Sequence, residues 1–356
     1  MNKEEIRKAL ALWYERNKRI LPWRDTKDPY AIWISEIILQ QTRVAQGYDY
    51  YLRFMERFPN VQTLAEAQED EVLRLWQGLG YYSRARNLHT AAHQIMEKHK
   101  GFFPRDPKEV RLLKGIGDYT TAAICSFAYN TPIAVVDGNV YRVLARLTEC
   151  EIPIDTTAGK KHYAQLAQEL LDPQHAALHN QAMMELGALQ CVPGTPNCQQ
   201  CPLTTWCKSA GKETASILPI KEKKTKIRIR YFHYIRFIIG NTFYLQKRTG
   251  EDIWKHLYEY PLIETEDPLD TKSLLTHPTF LNWTEGNSNI YITRQSGIRK
   301  HVLSHQHILA QLTEVRLSKE TPALANLIGV QPEKADVYAV PRIIELLNND
   351  IKLNQP

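Results

Sequence analysis

The sequence predicts two regions of different fold class: a mainly α-helical N-terminal region and a C-terminal domain of α+β type. Over residues 1–210, apolar residues recur at helical spacing between breaks that contain glycine and proline. From about residue 229, the pattern changes to runs of β-branched and aromatic residues separated by turns. A cysteine cluster and a basic segment separate the two patterns. We therefore predict a helical domain at 1–208, a connector at 209–229 and an α+β domain at 230–350.

The composition is that of a folded protein with a modest excess of positive charge. The chain has 356 residues, of which 43% are hydrophobic, and this length suits two or three domains. The formal net charge of +6 allows a polyanionic partner without requiring one. Residues 1–5 are mostly charged, and the chain has no apolar run of membrane-spanning length. We therefore expect no secretory leader, no membrane partner and a cytoplasmic location, at the nucleoid in a bacterium or in the nucleus of a eukaryote.

Two helices joined by a proline-containing loop are predicted at the N-terminus. The first covers residues 3–20, with its apolar residues on one face, and the second covers 30–46. Glu36 stands out in the second helix because apolar residues flank it on both sides. A buried carboxyl group at this position would have a raised pKa and would suit a general acid or base. The alternative is an exposed glutamate that pairs with Arg43.

Three further motifs follow in the helical region. A glycine-rich turn at 78–83 carries two tyrosines, which either pack within the turn or contact nucleic acid. Residues 110–128 predict a helix–hairpin–helix, with Gly115 and Gly117 in the turn. The backbone N–H groups that open the second helix of this motif suit a DNA phosphate. Asp137 then precedes another helix, where it is either an N-cap or a catalytic carboxylate.

Four of the six cysteines fall in one short stretch, at the spacing Cys-x6-Cys-x2-Cys-x5-Cys. Prolines and glycine among them predict tight turns that would bring the sulfur atoms together. One close pair with a longer arm on each side favours an iron–sulfur cluster over zinc, whose structural sites usually show two close pairs. Disulfides are the third alternative. We expect Cys125 and Cys150 to be ordinary core residues. The clustered cysteines are Cys191, Cys198, Cys201 and Cys207.

The segment after the cysteines is basic, and we interpret it as a solvated linker. Its basic residues are Lys221, Lys223, Lys224, Lys226, Arg228 and Arg230. Strands are then expected at 229–239, 242–247, 293–302 and 337–340, with a hairpin turn at Gly240-Asn241. Helices are expected at 306–312 and 341–348.

In this order, the motifs resemble the helix–hairpin–helix superfamily of DNA glycosylases. The glycine hairpin, the Asp137 motif and the cysteine spacing carry that resemblance. Within the superfamily, the chain is similar to the adenine DNA glycosylases of the MutY type in residues 35–42, in the 78–83 turn and in its second domain. The resemblance covers about residues 5–345. It implies a monomer that removes adenine, mispaired with 8-oxoguanine or less favourably with guanine, from duplex DNA after the nucleotide leaves the stack.

The resemblance also implies roles for individual residues. Glu36 would protonate the adenine ring and later activate water, and Asp137 would stabilise the oxocarbenium-like sugar. Tyr119 and Asn139 would complete the catalytic site. The adenine pocket would contain Leu21, Trp23, Arg24, Leu39 and Gln181. DNA contacts would come from Gln41, Thr42, Tyr81, Gly115, Gly117 and Lys208. The four clustered cysteines would hold a 4Fe-4S cluster whose role is to position the loop that presents Lys208 to DNA.

Tyr119 also bears on the type of reaction. The related endonuclease III places a lysine there, which forms a Schiff base and cuts the strand, whereas a tyrosine forms no amine adduct. We therefore expect a monofunctional glycosylase with at most weak lyase activity. The alternatives are an endonuclease III-like glycosylase/lyase that acts on pyrimidine lesions, and a DNA-binding module without catalysis.

The second domain resembles the Nudix fold but has no glutamate-rich, metal-binding box of the kind that Nudix hydrolases carry. The resemblance implies a recognition module rather than a second enzyme. Residues 303–305 align with a loop that senses 8-oxoguanine, so Ser304 and His305 would hydrogen-bond the lesion. Leu303 stands where the family often has an aromatic residue. The alternative for His305 is to cap the helix predicted after it.

Overall fold

A computed structural model describes residues 2–222 and 226–353 of the protein. Lys223 and Lys224 of the basic linker lie outside the described residues. The chain divides into two compact units. The first contains the residues up to Glu66 and those from Asn87 to the end of the first described range, and the second contains Ala67–Arg86 together with the second described range. Nothing in the sequence indicates that Ala67–Arg86 groups with the second unit, and the domain boundaries given above stay predictions.

The mainly α prediction for the N-terminal region is confirmed. Two short 3-10 turns, Cys198–Gln200 and Thr204–Trp206, lie in the cysteine region. Within the described ranges, no helix has both the length and the apolar character needed to cross a membrane. The helices of the first described range are α1 (Lys3–Asn17), α2 (Pro29–Leu39), α3 (Val44–Arg57), α4 (Val61–Glu66), α5 (Glu69–Trp76), α6 (Ser83–His99), α7 (Pro107–Leu112), α8 (Asp118–Tyr129), α9 (Gly138–Thr148), α10 (Thr157–Leu170), α11 (Ala176–Leu189) and α12 (Thr214–Ile217). Helix α12 lies inside the stretch interpreted as a solvated linker, and Ala215 and Leu218 are buried there, so that part of the interpretation is wrong.

Helix α2 is shorter than the predicted range 30–46. Its N-terminus is capped by Asp28, whose carboxylate accepts hydrogen bonds from two backbone N–H groups of the first turn. It ends at Leu39, and the left-handed backbone of Gln41, with φ of 55°, lies in the turn that separates it from α3. All residues from Tyr30 to Ile38 are buried, because the helix is enclosed by its neighbours. This enclosure puts any polar residue of α2 in an apolar setting.

The packing of four helices places the residues singled out in the sequence. Helix α2 packs against α8, and α11 packs against α1, α8 and α9. An apolar core joins Leu10 and Tyr14 of α1 to Leu144 of α9 and Leu186 of α11. As a result, the middle of α2, the N-terminal halves of α8 and α9, and the middle of α11 face a common space.

The second unit is built on an eight-stranded mixed sheet. Its main strand order is β3-β2-β1-β7-β5, with β4 on β1, β6 on β7 and β8 on β2. Strands β1 and β7 run parallel, whereas the other pairs are antiparallel. The strands are β1 (Arg228–Ile239), β2 (Thr242–Lys247), β3 (Tyr258–Glu259), β4 (Leu262–Thr265), β5 (Ile290–Gln295), β6 (Arg299–Val302), β7 (Gln306–Leu317) and β8 (Ile328–Val330). The helices are α13 (Thr271–Leu275), α14 (Pro278–Trp283), α15 (Pro322–Ala325) and α16 (Arg342–Leu353).

The α+β prediction for this unit is confirmed, but some of its elements were wrongly assigned. The hairpin turn at Gly240-Asn241 is present, and α16 contains the helix predicted at 341–348. The helix predicted at 306–312 is instead the start of β7. Alternate residues of that segment are buried, and each pairs with β1, so long-range pairing overrides the local helical spacing. The alternative role of His305 as the cap of a following helix is therefore wrong.

Two predicted strands also differ from the structure. The strand expected at 293–302 is two strands, β5 and β6, separated by residues 296–298. No strand forms at 337–340 among the described residues. That segment instead follows a 3-10 turn, Pro332–Val337, and leads into α16. Within this irregular connection Ala339 is buried, whereas Val337 is exposed.

Candidate active site

A cavity of about 480 Å³ lies in the first unit, where α2, α8, α9 and α11 meet. It contains both carboxyl groups that the sequence singles out, Glu36 and Asp137. The predicted site residues that line it are Leu21, Trp23, Arg24, Glu36, Leu39, Gln41, Thr42, Tyr119, Asp137, Asn139 and Gln181. The proposed catalytic residues and the whole of the proposed adenine pocket therefore share one space, although they come from distant parts of the chain.

Glu36 is a buried carboxyl group, not the exposed partner of Arg43 that the sequence left open. Its side chain is 7% exposed, and the hydroxyl group of Tyr119 donates a hydrogen bond of 2.7 Å to Glu36 Oε2. Burial raises the pKa of Glu36 to about 7, the Tyr119 hydrogen bond opposes that rise, and the nearby charge of Asp137 adds to it. Burial likewise raises the pKa of Tyr119 well above its usual range, so that its hydroxyl stays a donor. Such a carboxyl group can hold or release a proton near neutral pH.

Asp137 serves as an N-cap while one of its oxygens also meets a polar side chain. Oδ1 accepts a hydrogen bond of 2.7 Å from the backbone N–H of Val140, and Oδ2 accepts one of 2.8 Å from Nδ2 of Asn139. Burial raises the pKa of Asp137, and these hydrogen bonds oppose the rise because they favour the charged form. The N-cap reading and the catalytic reading are therefore compatible, since the cap uses Oδ1 and Asp137 still lines the cavity.

The wall formed by the loop before α2 is apolar and rigid. Leu21 and Trp23 are both almost fully buried, and the Trp23 ring meets the Tyr51 ring edge-on with 5.0 Å between the centroids. Gln181 on α11 accepts a hydrogen bond of 2.5 Å from the hydroxyl group of Tyr14. The Tyr14 contact fixes the Gln181 carbonyl oxygen and leaves its amide group to face other partners. A flat, partly polar ring fits such a wall.

Sequence reasoning missed a charged cluster at the same cavity. Glu185 on α11 lines it and is fully buried, with Arg19 and Arg24 both paired to its carboxylate. The available signal was an acidic residue in an apolar helix, Met183-Met184-Glu185-Leu186, which is the pattern that made Glu36 conspicuous. The arginine partners were not visible in that pattern because they lie more than 160 residues away in the chain.

The glycine hairpin has the geometry of a close backbone approach. Gly115 has a φ of +78°, and a Cβ atom there would lie 2.6 Å from Cβ of Asn87. Gly117 is the N-cap of α8, and no atom lies within 4 Å of a Cβ built there. The hairpin thus presents an open helix N-terminus, which suits an anionic group.

Lys208 follows the last of the clustered cysteines, and its backbone N–H donates to the Leu147 carbonyl oxygen at 3.1 Å.

The four clustered cysteines line one small cavity, and the structure contains no disulfide at any of them. The guanidinium group of Arg146, which is 2% exposed, donates to Sγ of Cys191 at 3.3 Å. Among the described residues, no group of three or more His, Cys, Asp or Glu side chains is arranged to hold a metal ion. The donor set itself, four free sulfurs around one cavity with a buried cation beside them, fits the chemistry of an anionic iron–sulfur cluster.

The remaining predicted residues lie in the second unit. Ser304 and His305 are exposed in the short turn between β6 and β7, and the His305 carbonyl oxygen accepts a hydrogen bond of 3.0 Å from the backbone N–H of Arg228. Tyr81 belongs to the same unit, and its hydroxyl group shares a hydrogen bond with Oγ of Ser304. The structure therefore joins a predicted DNA-contacting residue to a predicted lesion-contacting residue.

Two family models match the chain. Residues 34–173 match the HhH-GPD superfamily of base excision DNA repair proteins, and residues 233–349 match the NUDIX domain. The first match includes the segments of Glu36, Tyr119 and Asp137, and the second includes Ser304 and His305. Each of the two units thus contains a match to a known domain.

Full-length relatives give the same assignment. The chain is 36% identical over 297 residues to the adenine DNA glycosylase of Buchnera aphidicola subsp. Baizongia pistaciae, a match that covers 82% of this chain and 81% of that protein. It is also 43% identical over 213 residues to the adenine DNA glycosylase of Mus musculus. That second match covers 57% of this chain and 41% of the mouse protein, so this chain spans less than half of its mammalian relative.

Among solved structures, the chain is similar to a thermostable thymine-DNA glycosylase. The TM-score is 0.53 at 26% sequence identity, and the match covers 58% of this chain and 95% of that one. A complex of endonuclease III with DNA has a TM-score of 0.51 at 22% identity, which supports the fold alone. The two matches cover 58% and 59% of this chain.

Proposed function

Because this chain belongs to the adenine DNA glycosylases of the HhH-GPD superfamily of base excision DNA repair proteins, we propose that it hydrolyses the N-glycosidic bond of adenine mispaired with 8-oxoguanine, or with guanine, in duplex DNA. The observation that supports this proposal best is the pair of buried carboxyl groups in one cavity, Glu36 and Asp137. Tyr119 stands beside them where a lyase of the endonuclease III type would carry a lysine. The reaction is therefore monofunctional excision.

In this proposal, the two carboxyl groups divide the chemistry between them. Glu36 is about half protonated near neutral pH, because burial raises its pKa to about 7, so it can transfer a proton to the adenine ring. The protonated base leaves as the glycosidic bond breaks, and positive charge develops on the sugar. The carboxylate of Asp137 stabilises that charge, and its two hydrogen bonds help to keep it ionised. Glu36, now deprotonated, accepts a proton from the water that adds to the sugar.

Adenine reaches these groups by leaving the base stack and entering the cavity. The apolar wall of Leu21, Trp23 and Leu39 gives the ring a surface to pack on, and Gln181 and Arg24 supply polar contacts at its edge. Unstacking costs a few kcal/mol, which these contacts must offset. Asn139 holds one oxygen of Asp137 in place, which supports its assignment to the catalytic site.

DNA is the partner of the family, and we assign its contacts to three places on the first unit and one on the second. On the first unit, Gln41 and Thr42 lie at the cavity, and the hairpin glycines Gly115 and Gly117 offer backbone N–H groups to a phosphate. Lys208 adds a cation for the DNA backbone. On the second unit, the proposed contacts are made by Tyr81, Ser304 and His305, where Ser304 and His305 would hydrogen-bond 8-oxoguanine.

We further infer that Cys191, Cys198, Cys201 and Cys207 hold a 4Fe-4S cluster. When bound, such a cluster cross-links the loop that carries Lys208 and does not take part in excision. Iron and acid-labile sulfide analysis of the purified protein tests the inference, with about four of each expected per chain. Cys201→Ser should lower both contents and the visible absorbance, whereas Cys125→Ser, a change at a buried cysteine outside the cavity, should leave both as they are. Full iron content in Cys201→Ser would contradict the assignment.

The test of the proposed function uses three duplexes that carry adenine opposite 8-oxoguanine, guanine or thymine. Strand breaks are scored with and without alkali after incubation with the purified full chain. We expect breaks at the first two duplexes only, and only after alkali. Equal breakage without alkali would identify a lyase, and excision from none of the adenine duplexes by a protein with its cluster intact would favour another lesion or a binding module.

A further inference from the structure

Glu185 lies on the wall of the active-site cavity, but the chemistry above gives it no part. Its carboxylate accepts hydrogen bonds from Nε and Nη2 of Arg19 at 2.8 and 2.6 Å, and from Nη1 and Nη2 of Arg24 at 2.8 and 2.5 Å. The backbone N–H of Arg19 adds a fifth contact at 2.9 Å. Both guanidinium groups thus bind the carboxylate at two points, which is the strongest geometry available to such pairs.

The cluster carries a net positive charge next to the reacting groups. Although burial by itself raises the pKa of Glu185, the hydrogen bonds from Arg19 and Arg24 lower it to about 2, so the carboxylate is ionised at neutral pH. Two guanidinium groups and one carboxylate leave one uncompensated positive charge. The positive charge of Arg24 also acts on Glu36, because it opposes the rise in the Glu36 pKa that burial causes.

We propose that Glu185 is a positioning residue for excision: it holds Arg24 at the cavity wall and offsets its charge, so that Arg24 can face adenine without forcing Glu36 to ionise. This inference rests on the proposed function of the site. The side chain of Glu185 acts only through Arg24, and no contact of Glu185 with the base is required.

The charged and titratable groups that act on Glu36 fall into two classes. Tyr119 of α8 and Arg24 of the loop before α2 favour the carboxylate form of Glu36. Asp137, at the start of α9, favours the neutral acid. Glu185 of α11 enters this balance through its ion pair with Arg24, whose positive charge it offsets. Removing the Glu185 charge should therefore shift Glu36 towards its ionised form.

The test is the pH dependence of single-turnover excision by the full chain on the adenine:8-oxoguanine duplex. Glu185→Gln keeps the size and an acceptor of the side chain but removes its charge. We expect the basic limb of the profile, where the rate falls as the pH rises, to lie about one pH unit lower than in the wild type. At pH values above this fall, excision should be about tenfold slower than in the wild type. The matched control is Glu259→Gln in the second unit, another buried carboxylate paired with an arginine, since both of its oxygens accept from Nη1 of Arg248. It should leave the limb in place.

Arg24→Met, alone and combined with Glu185→Gln, tests whether the effect passes through Arg24. Removing the Arg24 cation alone should move the basic limb to higher pH. Adding Glu185→Gln to it should move the limb by less than Glu185→Gln does in the wild type, because only the Arg19 charge is then left unpaired. Arg24→Met and the double variant also test the inference if Glu185→Gln alone does not fold, because the double variant removes both charges of the Arg24–Glu185 ion pair. A limb at the wild-type position in Arg24→Met would overturn the inference.

The outcomes separate this inference from the proposed function. A wild-type protein that excises adenine, together with a folded Glu185→Gln variant that loses rate equally at every pH, would reduce Glu185 to a structural residue and leave the proposed function intact. A wild-type protein that excises no adenine would overturn the proposed function itself.

Discussion

The hydrogen bond from Tyr119 to Glu36 makes a quantitative prediction about the pH dependence of excision. Tyr119 donates to the carboxylate at 2.7 Å, and this contact lowers the pKa of Glu36 against the larger, opposite effect of burial. Tyr119→Phe removes the donor and keeps the ring. A hydrogen bond to a charged group contributes about 1.5–3 kcal/mol, and one pH unit corresponds to about 1.4 kcal/mol. The pKa of Glu36 should therefore rise by about one to two pH units in the variant.

The sign of the effect follows from the proposed role of Glu36 as a proton donor. The donor must be protonated, so activity is lost as the pH rises through its pKa, and a higher pKa moves that basic limb upward. The assay is single-turnover excision of adenine opposite 8-oxoguanine between about pH 5 and 9, with each profile normalised to its own maximum. Tyr30→Phe is the matched control. Tyr30 lies on α2 and, like Tyr119, is a buried tyrosine whose hydroxyl group donates a hydrogen bond of 2.7 Å, but its acceptor is the Phe58 carbonyl oxygen and not Glu36. A limb that stays in place or moves down in Tyr119→Phe would refute the reasoning.

Three further predictions concern separate parts of the protein. Glu36→Gln should abolish excision while the affinity for a mispaired duplex, measured by fluorescence anisotropy, stays within a few-fold of wild type; a collapse of binding would make Glu36 structural. Gly115→Ala should lower the free energy of unfolding by about 1–3 kcal/mol in a urea titration, because the new methyl group meets Asn87 at a positive φ, whereas Gly117→Ala should be nearly neutral. Ser304→Ala should reduce the preference for adenine opposite 8-oxoguanine over adenine opposite guanine, and an unchanged ratio of the two rates would remove Ser304 from lesion recognition.

Local signals in the sequence singled out part of the candidate site. An isolated carboxyl group in an apolar helix identified Glu36, and a glycine turn followed by small residues identified the hairpin. Glu185 shows the same local signal as Glu36, but its meaning depends on Arg19 and Arg24, which approach it only when the loop before α2 packs against α11. A pattern along one helix cannot display such a partner.

The failure at β7 has a comparable cause. Ile308 and Leu312 are four residues apart, which suits one face of a helix and equally one face of a strand, so the local pattern is ambiguous. The decision is made by β1, a strand far away in the chain that pairs in parallel with β7 along most of its length. The hairpin at Gly240-Asn241 was predictable because both of its strands adjoin the turn that joins them.

The two carboxyl groups of the cavity differ in the support that the fold gives them, and this difference explains why they can act differently. Glu36 lies within a helix that is buried on all sides, and Tyr119 is the neighbour that donates to it. Burial raises the pKa of Asp137 too, but at the N-terminus of α9 a backbone N–H group, the Asn139 amide and the positive end of the helix dipole oppose that rise. The Glu36 carboxyl group can therefore hold a proton near neutral pH while the hydrogen bonds to Asp137 favour its carboxylate form. Exchange of the two environments would require moving a helix end, so the proposed division of labour depends on how α2 and α9 are packed and not on the acidic residues alone.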